Sequence, residues 1–179
     1  EGWQLHHKPA VPVPDEAAAR GLDPAAAYSI PHSRQEAESQ GFQVVGRGII
    51  GADECDAAGM LLPHHYIGRI SDGMPNLWAF LNSDADSEAR QSGAQGGAAL
   101  EYRLHVHAPL RRGSMFCQLS GIRALGNKTQ NMAHVVIDET AGRCAATAEA
   151  VGVAMDLTTR KAVLISAERR QRLEQLMIR

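Results

Sequence analysis

Tyr66, Ile67, Ile70, Met74, Leu77, Trp78 and Leu81 recur at helical spacing and make a helix that is apolar over most of its circumference. Such a helix is stable only where other parts of the chain cover it. Much of the chain that follows is β-rich. Strand patterns run over 98–107, 114–125, 128–138 and 143–155, and one more, over 42–50, precedes the helix. The breaks Arg111-Arg-Gly113, Gly126-Asn127 and Glu139-Thr-Ala-Gly142 are turn-like. Links this short favour consecutive antiparallel pairing. The order strand, long helix, four strands predicts an α+β fold in which one antiparallel sheet curls around a central helix and buries it nearly all round.

Pro63 suits the first position of that helix, where a missing N–H costs nothing. Pro75 falls inside the apolar run, so the spacing predicts one helix over 63–73 and a second piece over 75–81. The polar, Gly-rich stretch 83–97 predicts a mobile loop, 156–160 a turn, and 167–178 a surface helix. Gly46, Gly48 and Gly51 are spaced for a bent strand or a bulge rather than for a phosphate loop.

Residues 1–41 are rich in Pro, Ala and Gln and carry no continuous amphipathic face. Pro9, Pro12 and Pro14 make the first part extended, Asp15 can cap a short helix over 16–20, Asp23 and Pro24 can start a turn, and 33–40 reads as another. This segment is expected as an arm lying on a domain formed by 42–179. The frame Ala-Val-x-(Val/Ile)-x-x-Glu-x-x-x-Arg occurs over both 10–20 and 162–172. It is either coincidence or a sign that the first residues resemble the closing segment of a preceding copy of the domain.

A chain of 179 residues with 44 % apolar side chains suits one domain with a real core. The net charge of −2, with no basic face carrying interleaved aromatics, argues against nucleic acid as a partner. No apolar run reaches membrane-spanning length, and the basic-then-apolar pattern of a signal peptide is missing from residues 1–20. The first residue is Glu, which fits a processed, trimmed or fragmentary chain. Cys55, Cys117 and Cys144 are odd in number and lack metal-type spacing, so reduced thiols in a cytoplasmic protein are expected, with no metal and no cofactor.

The chemistry is expected in the acidic turn Asp53-Glu-Cys-Asp-Ala-Ala-Gly59. This turn delivers carboxylates to the start of a buried helix, where backbone amides stabilise developing negative charge. A carboxylate held there can serve as nucleophile or general base. Cys55 is the weaker candidate, because neighbouring carboxylates disfavour a thiolate.

The layout and this turn resemble the hotdog-fold acyl-CoA thioesterases, in particular the 4-hydroxybenzoyl-CoA thioesterase-like group. Asp56-Ala-Ala-Gly59, Tyr66 seven residues after the glycine, and Asp72-Gly73 in the helix match that family's frame. Tyr102-Arg-Leu-His-Val-His107, Pro109-Leu-Arg-Arg-Gly113, Ala146-Thr-Ala-Glu-Ala150 and Asp156-Leu-Thr-Thr-Arg-Lys161 resemble its later strand and turn signatures, so the resemblance covers 42–178. It implies hydrolysis of an acyl-CoA or aroyl-CoA thioester by Asp56, with helix-start amides as the oxyanion hole. It also implies a homodimer or homotetramer, with the substrate touching Gly59, Met60 and Tyr66.

The chain departs from the family where the oxyanion amide is expected. That position is Pro63, which has no N–H, so the donors would be the amides of Met60, Leu61, His64 or His65. The position after Gly59, often His in relatives, is Met60. His64 or His65 could orient a water or hydrogen-bond the thioester. Asp72 either faces a partner's pocket or pairs with Arg69 along the helix. Arg111, Arg112, Arg123 and Lys128 are candidates for gripping the phosphates of coenzyme A. His105 and His107 share one strand face, and with His134 no Cys or carboxylate completes a metal set, so structural roles are expected. The alternative function is a non-hydrolytic hotdog protein that binds acyl-CoA or serves as a structural subunit. A dehydratase of the same fold would need a histidine facing an acid across an interface, with His64 or His65 set against Asp56.

Overall fold

The computed structural model describes residues 21–22, 30–81 and 92–179. The expected short helix over 16–20, the turn at 23–24, the 10–20 half of the internal echo and the 83–91 part of the loop lie outside the described residues.

In chain order the elements are α1 (Arg34–Ser39), β1 (Gln43–Ile49), a 3-10 turn (Ala52–Glu54), α2 (Pro63–Leu81), β2 (Gln95–Val106), β3 (Met115–Leu125), β4 (Thr129–Asp138), β5 (Arg143–Asp156), β6 (Lys161–Ala162) and α3 (Ala167–Glu174). One antiparallel sheet in the order β1-β3-β4-β5-β2 carries α2 on one face, and β6 pairs with β5. The glycine-spaced strand β1 does shift register, between Val44 and Gly46.

α2 differs from expectation in two ways. It is continuous through Pro75, where a break was expected. The carbonyl that Pro75 leaves without an N–H is that of Ser71, and both residues are exposed, so water can take it. Nor is the helix buried all round. Tyr66, Ile70, Gly73 and Leu77 form one buried stripe at i, i+3 and i+4 spacing, while His64, Gly68, Pro75, Ala79 and Phe80 are exposed. Gly73 lets the helix lie close on the sheet, since a Cβ there would sit 2.6 Å from Gln118 Nε2 and 3.1 Å from Val45 Cγ2. Gln118 Nε2 donates to the carbonyl of Ile70 and Asn76 Nδ2 to that of Val45, fixing the helix to β3 and β1.

The strands pair consecutively from β3 to β5, as the short turns require. β2 does not pair with β3, however; it lies at the opposite edge, against β5. Its connection to β3 is pinned elsewhere, which rules out a hairpin. The amides of His107 and Ala108 donate to the carbonyl of Ala145, and Leu110 is buried at the start of α2. β2 also begins at Gln95, inside the stretch expected to be loop.

The C-terminal helix stops at Glu174 rather than running to 178. The residues after it continue the sheet instead: Ile122 N–H donates to Leu176 O and Ile178 N–H to Ile122 O, beyond the point where β1 leaves β3. On the face away from α2, Phe42, Ala37 of α1 and Ile178 cover Cys117, Leu119, Ala133, Val135 and Ile137. Gly21 and Leu22 also reach the body, with both amides donating to the Glu101 carboxylate and Asn131 Nδ2 donating to Gly21 O.

Candidate active site at the start of the long helix

The turn between β1 and α2 is held from both ends. Glu54 is buried, accepts the Gly51 amide at 2.8 Å, and takes two hydrogen bonds from Arg69 of α2, at 2.9 and 2.7 Å. The Arg69 guanidinium holds the Glu54 carboxyl below its ordinary range. Arg69 in turn lies over the Phe116 ring, 5.5 Å from its centroid.

Asp56 stands at the tip. Its Oδ1 accepts the amides of Ala58 and Met60, both at 2.9 Å, and its own amide donates to Met60 O at 2.9 Å. Among the described residues Oδ2 has no partner. Gly59 closes the turn at φ +75, and a Cβ there would meet nothing within 4 Å. Its requirement is therefore conformational and not one of close approach.

A second loop is joined to this one. Leu61 N–H donates to Leu110 O and Arg112 N–H to Gly59 O, each at 2.9 Å, and Met60 bridges Arg111 in antiparallel fashion. Ala52, Cys55, Asp56, Gly59, Arg111 and Arg112 line an open cleft of about 330 Å³. Neither arginine forms an ion pair among the described residues, so the cleft combines one oriented carboxylate with two positive charges.

The expected oxyanion donors can now be separated. The amide of Met60 is taken by Asp56, that of Leu61 by Leu110 O, and that of His65 by Leu62 O. Of the four, only the His64 amide has no acceptor among the described residues. The rings of His64 and His65 lie against each other, 4.1 Å between centroids, and neither lines the Asp56 cleft.

The other candidates are dispersed. Tyr66 is 1 % exposed, and its hydroxyl accepts the Leu110 amide at 2.9 Å, so it supports the loop that carries the arginines. Asp72 lies in a separate cleft of about 250 Å³ with Arg69, Asn76 and Gln118, and the nearby Arg69 is engaged by Glu54. Arg123 pairs with Glu149, which also binds Arg103. Lys128 sits beside the β6–α3 link, in a pocket of about 110 Å³. Sequence reasoning grouped Arg123 and Lys128 with Arg111 and Arg112; only the last two share a cleft with Asp56. The antiparallel bridge that brings them there is long-range and leaves no local pattern, although Gly113 at φ +83 marks the turn.

His105 and His107 lie on one strand face, 6.4 Å between ring centroids, and His107 Nε2 meets Thr147 Oγ1 at 2.9 Å. His134 points to the other face of the sheet, the one that carries α2, and bonds Ser120 Oγ through Nδ1 at 2.8 Å. Among the described residues no three His, Cys, Asp or Glu side chains come together as a metal site. Burial raises the thiol of Cys117 and pushes that of Cys144 up to about 11, which keeps both protonated.

Solved structures share this architecture. YbaW of Escherichia coli, named as a probable thioesterase, superposes with a TM-score of 0.63 at 20 % identity over 75 % of this chain and 99 % of its own. A Staphylococcus aureus protein solved with CoA gives 0.64 at 16 % identity, over 75 % of this chain and 84 % of its own. A 1,4-dihydroxy-2-naphthoyl-CoA thioesterase from Synechocystis gives 0.62 at 13 % identity, over 74 % and 96 %. The fold is the hotdog fold. No family model matches the sequence, and no curated protein does. The identities to these hotdog proteins are low enough that fold is what they share with this chain. About a quarter of the chain lies outside each of these superpositions.

Proposed function

We propose that the protein hydrolyses an acyl-CoA or aroyl-CoA thioester to the free acid and CoA. Asp56 acts as the nucleophile, or as the base that activates water. The observation that carries this reading is the Asp56 carboxylate itself, held by two amides through Oδ1 with Oδ2 left for reaction, in the turn that precedes the hotdog helix. The structural neighbours named as thioesterases, one of them for an aromatic acyl-CoA, support the substrate class. Of the candidate helix-start amides only that of His64 is unengaged among the described residues, and it lies outside the Asp56 cleft; the subgroup we favour is the 4-hydroxybenzoyl-CoA thioesterase-like one. Residues 42–179 form the catalytic domain and 1–41 an arm on it. The free cysteines fit a cytoplasmic setting, and among the described residues no helix is long and apolar enough to cross a membrane.

Thiol release across an acyl-CoA panel tests the proposal. Asp56→Asn should lower kcat by about 10²–10⁴-fold, the range for losing a general base or nucleophile. Equal turnover by both proteins removes Asp56 from this role.

A second reading, a non-hydrolytic acyl-CoA-binding or structural hotdog subunit, is favoured by Pro63 and by the engaged amides of Met60, Leu61 and His65. It predicts thermal stabilisation by CoA without thiol release by the unmodified protein.

A further inference from the structure

We infer that Arg111 and Arg112 are catalytic residues that supply the positive charge an oxyanion needs here, in place of the amide that Pro63 lacks. The inference rests on the thioesterase reading and deepens it.

Both routes open to Asp56 pass through the same anion. If its carboxylate attacks the thioester carbon, the π pair moves to the carbonyl oxygen. Collapse then expels thiolate and leaves a mixed anhydride, which water hydrolyses. If Asp56 takes a proton from water, the hydroxide formed attacks, the π pair again moves to oxygen, and the departing thiolate recovers the proton from the Asp56 carboxyl. Either way a full negative charge appears on the former carbonyl oxygen beside Asp56, and preorganised donors at that point lower the barrier.

Backbone amides are in short supply at this helix start. Pro63 has none, three of its neighbours are engaged within the protein, and His64 does not line the Asp56 cleft. The positively charged residues that do line it are Arg111 and Arg112. They carry no ion pair among the described residues, so neither charge is neutralised in advance. The bonds Arg112 N–H to Gly59 O and Leu61 N–H to Leu110 O hold their loop at a fixed distance from the Asp56 loop. A guanidinium is always charged and offers several donors, and so can replace backbone N–H groups at an oxyanion. Coenzyme A phosphates are a poorer match for these two residues. The pantetheine arm separates phosphate from thioester by roughly ten bonds or more, whereas this cleft holds the arginines together with the reacting carboxylate.

The test uses the full chain and two substrates with the same acyl group: the CoA thioester and the N-acetylcysteamine thioester, which has no phosphate. Arg111→Ala, Arg112→Ala and the double variant are measured beside the unmodified protein, with unchanged melting temperature as the folding control. The double variant should lose about 10²–10³-fold in kcat on both substrates, the scale of a lost oxyanion donor. KM should barely change, and added guanidinium chloride should restore part of kcat. A rise in KM for the CoA thioester alone, with kcat intact, overturns the inference in favour of phosphate binding. Full kcat in the double variant overturns it while leaving the thioesterase reading in place. An unmodified protein that turns over neither substrate overturns the reading beneath it and the inference with it.

Discussion

His134 lies at 0 % exposure beneath the long helix with Ser120 on Nδ1 and no partner for Nε2. Burial pushes it from an ordinary value near 6.5 down to about 4. The unfolded chain therefore binds a proton between these values that the folded protein does not, and stability falls as pH drops through that window. That shift corresponds to at most about 3 kcal/mol. Denaturant titrations from pH 7 to pH 4 should show His134→Gln losing less stability than the unmodified protein. Glu54 has its own, lower window. Its carboxyl is held down by Arg69, so its contribution is present above the ordinary value near 4.5 and is lost as pH falls through the lowered one. Glu54→Gln should remove pH dependence there and leave the His134 window in place. Tyr66→Phe leaves the buried Leu110 amide without its acceptor and should cost about 1–3 kcal/mol. The turn that holds Asp56 and Gly59 was legible in the sequence because a tight acidic turn before a helix is a local pattern. The role of Tyr66 as a support was not, since its partner lies 44 residues away.

Among the elements, α2 is where sequence reading and structure diverge most usefully. Periodicity placed its buried stripe, but a proline rule applied without exposure broke it in two. Because Pro75 lies on the open side of an unbroken helix, Pro75→Ala should restore the missing bond to Ser71 O. It should raise stability by about 1–2 kcal/mol after allowing for the freer unfolded chain, read as a higher melting temperature. Gly73→Ala should do the reverse, because its Cβ would collide with Gln118 and Val45. Strand existence was legible from alternation over 42–50 and from the turn-bounded runs after the long helix, but the C-terminal helix was overextended, because Leu176 to Ile178 are apolar enough to read as helix while their backbone pairs with Ile122.

For the whole molecule, the sequence conveyed a sheet curled on a helix but not the order of its strands. Short turns determine neighbours only when both strands use the turn, and the 107–114 link is held at the helix start instead. Among the described residues β2 is an edge strand with no partner on its outer side, with Leu100 59 % and Tyr102 37 % exposed. Beside it lies a groove of about 280 Å³ lined by Met74, Trp78, Tyr102 and Met132. An open apolar edge is a pairing surface, and a second copy of the chain would cover both edge and groove. Light scattering should find a dimer at micromolar concentration, and Tyr102→Lys should shift it toward monomer.

The ribbon joining 59–61 to 110–112 also has a kinetic meaning. The amides of Leu61 and Arg112 each depend on a carbonyl from the other loop, so neither loop can open alone. In hydrogen exchange with deuterated water the two amides should open as one unit, and a ligand that touches only the arginines should slow exchange at Leu61 as well.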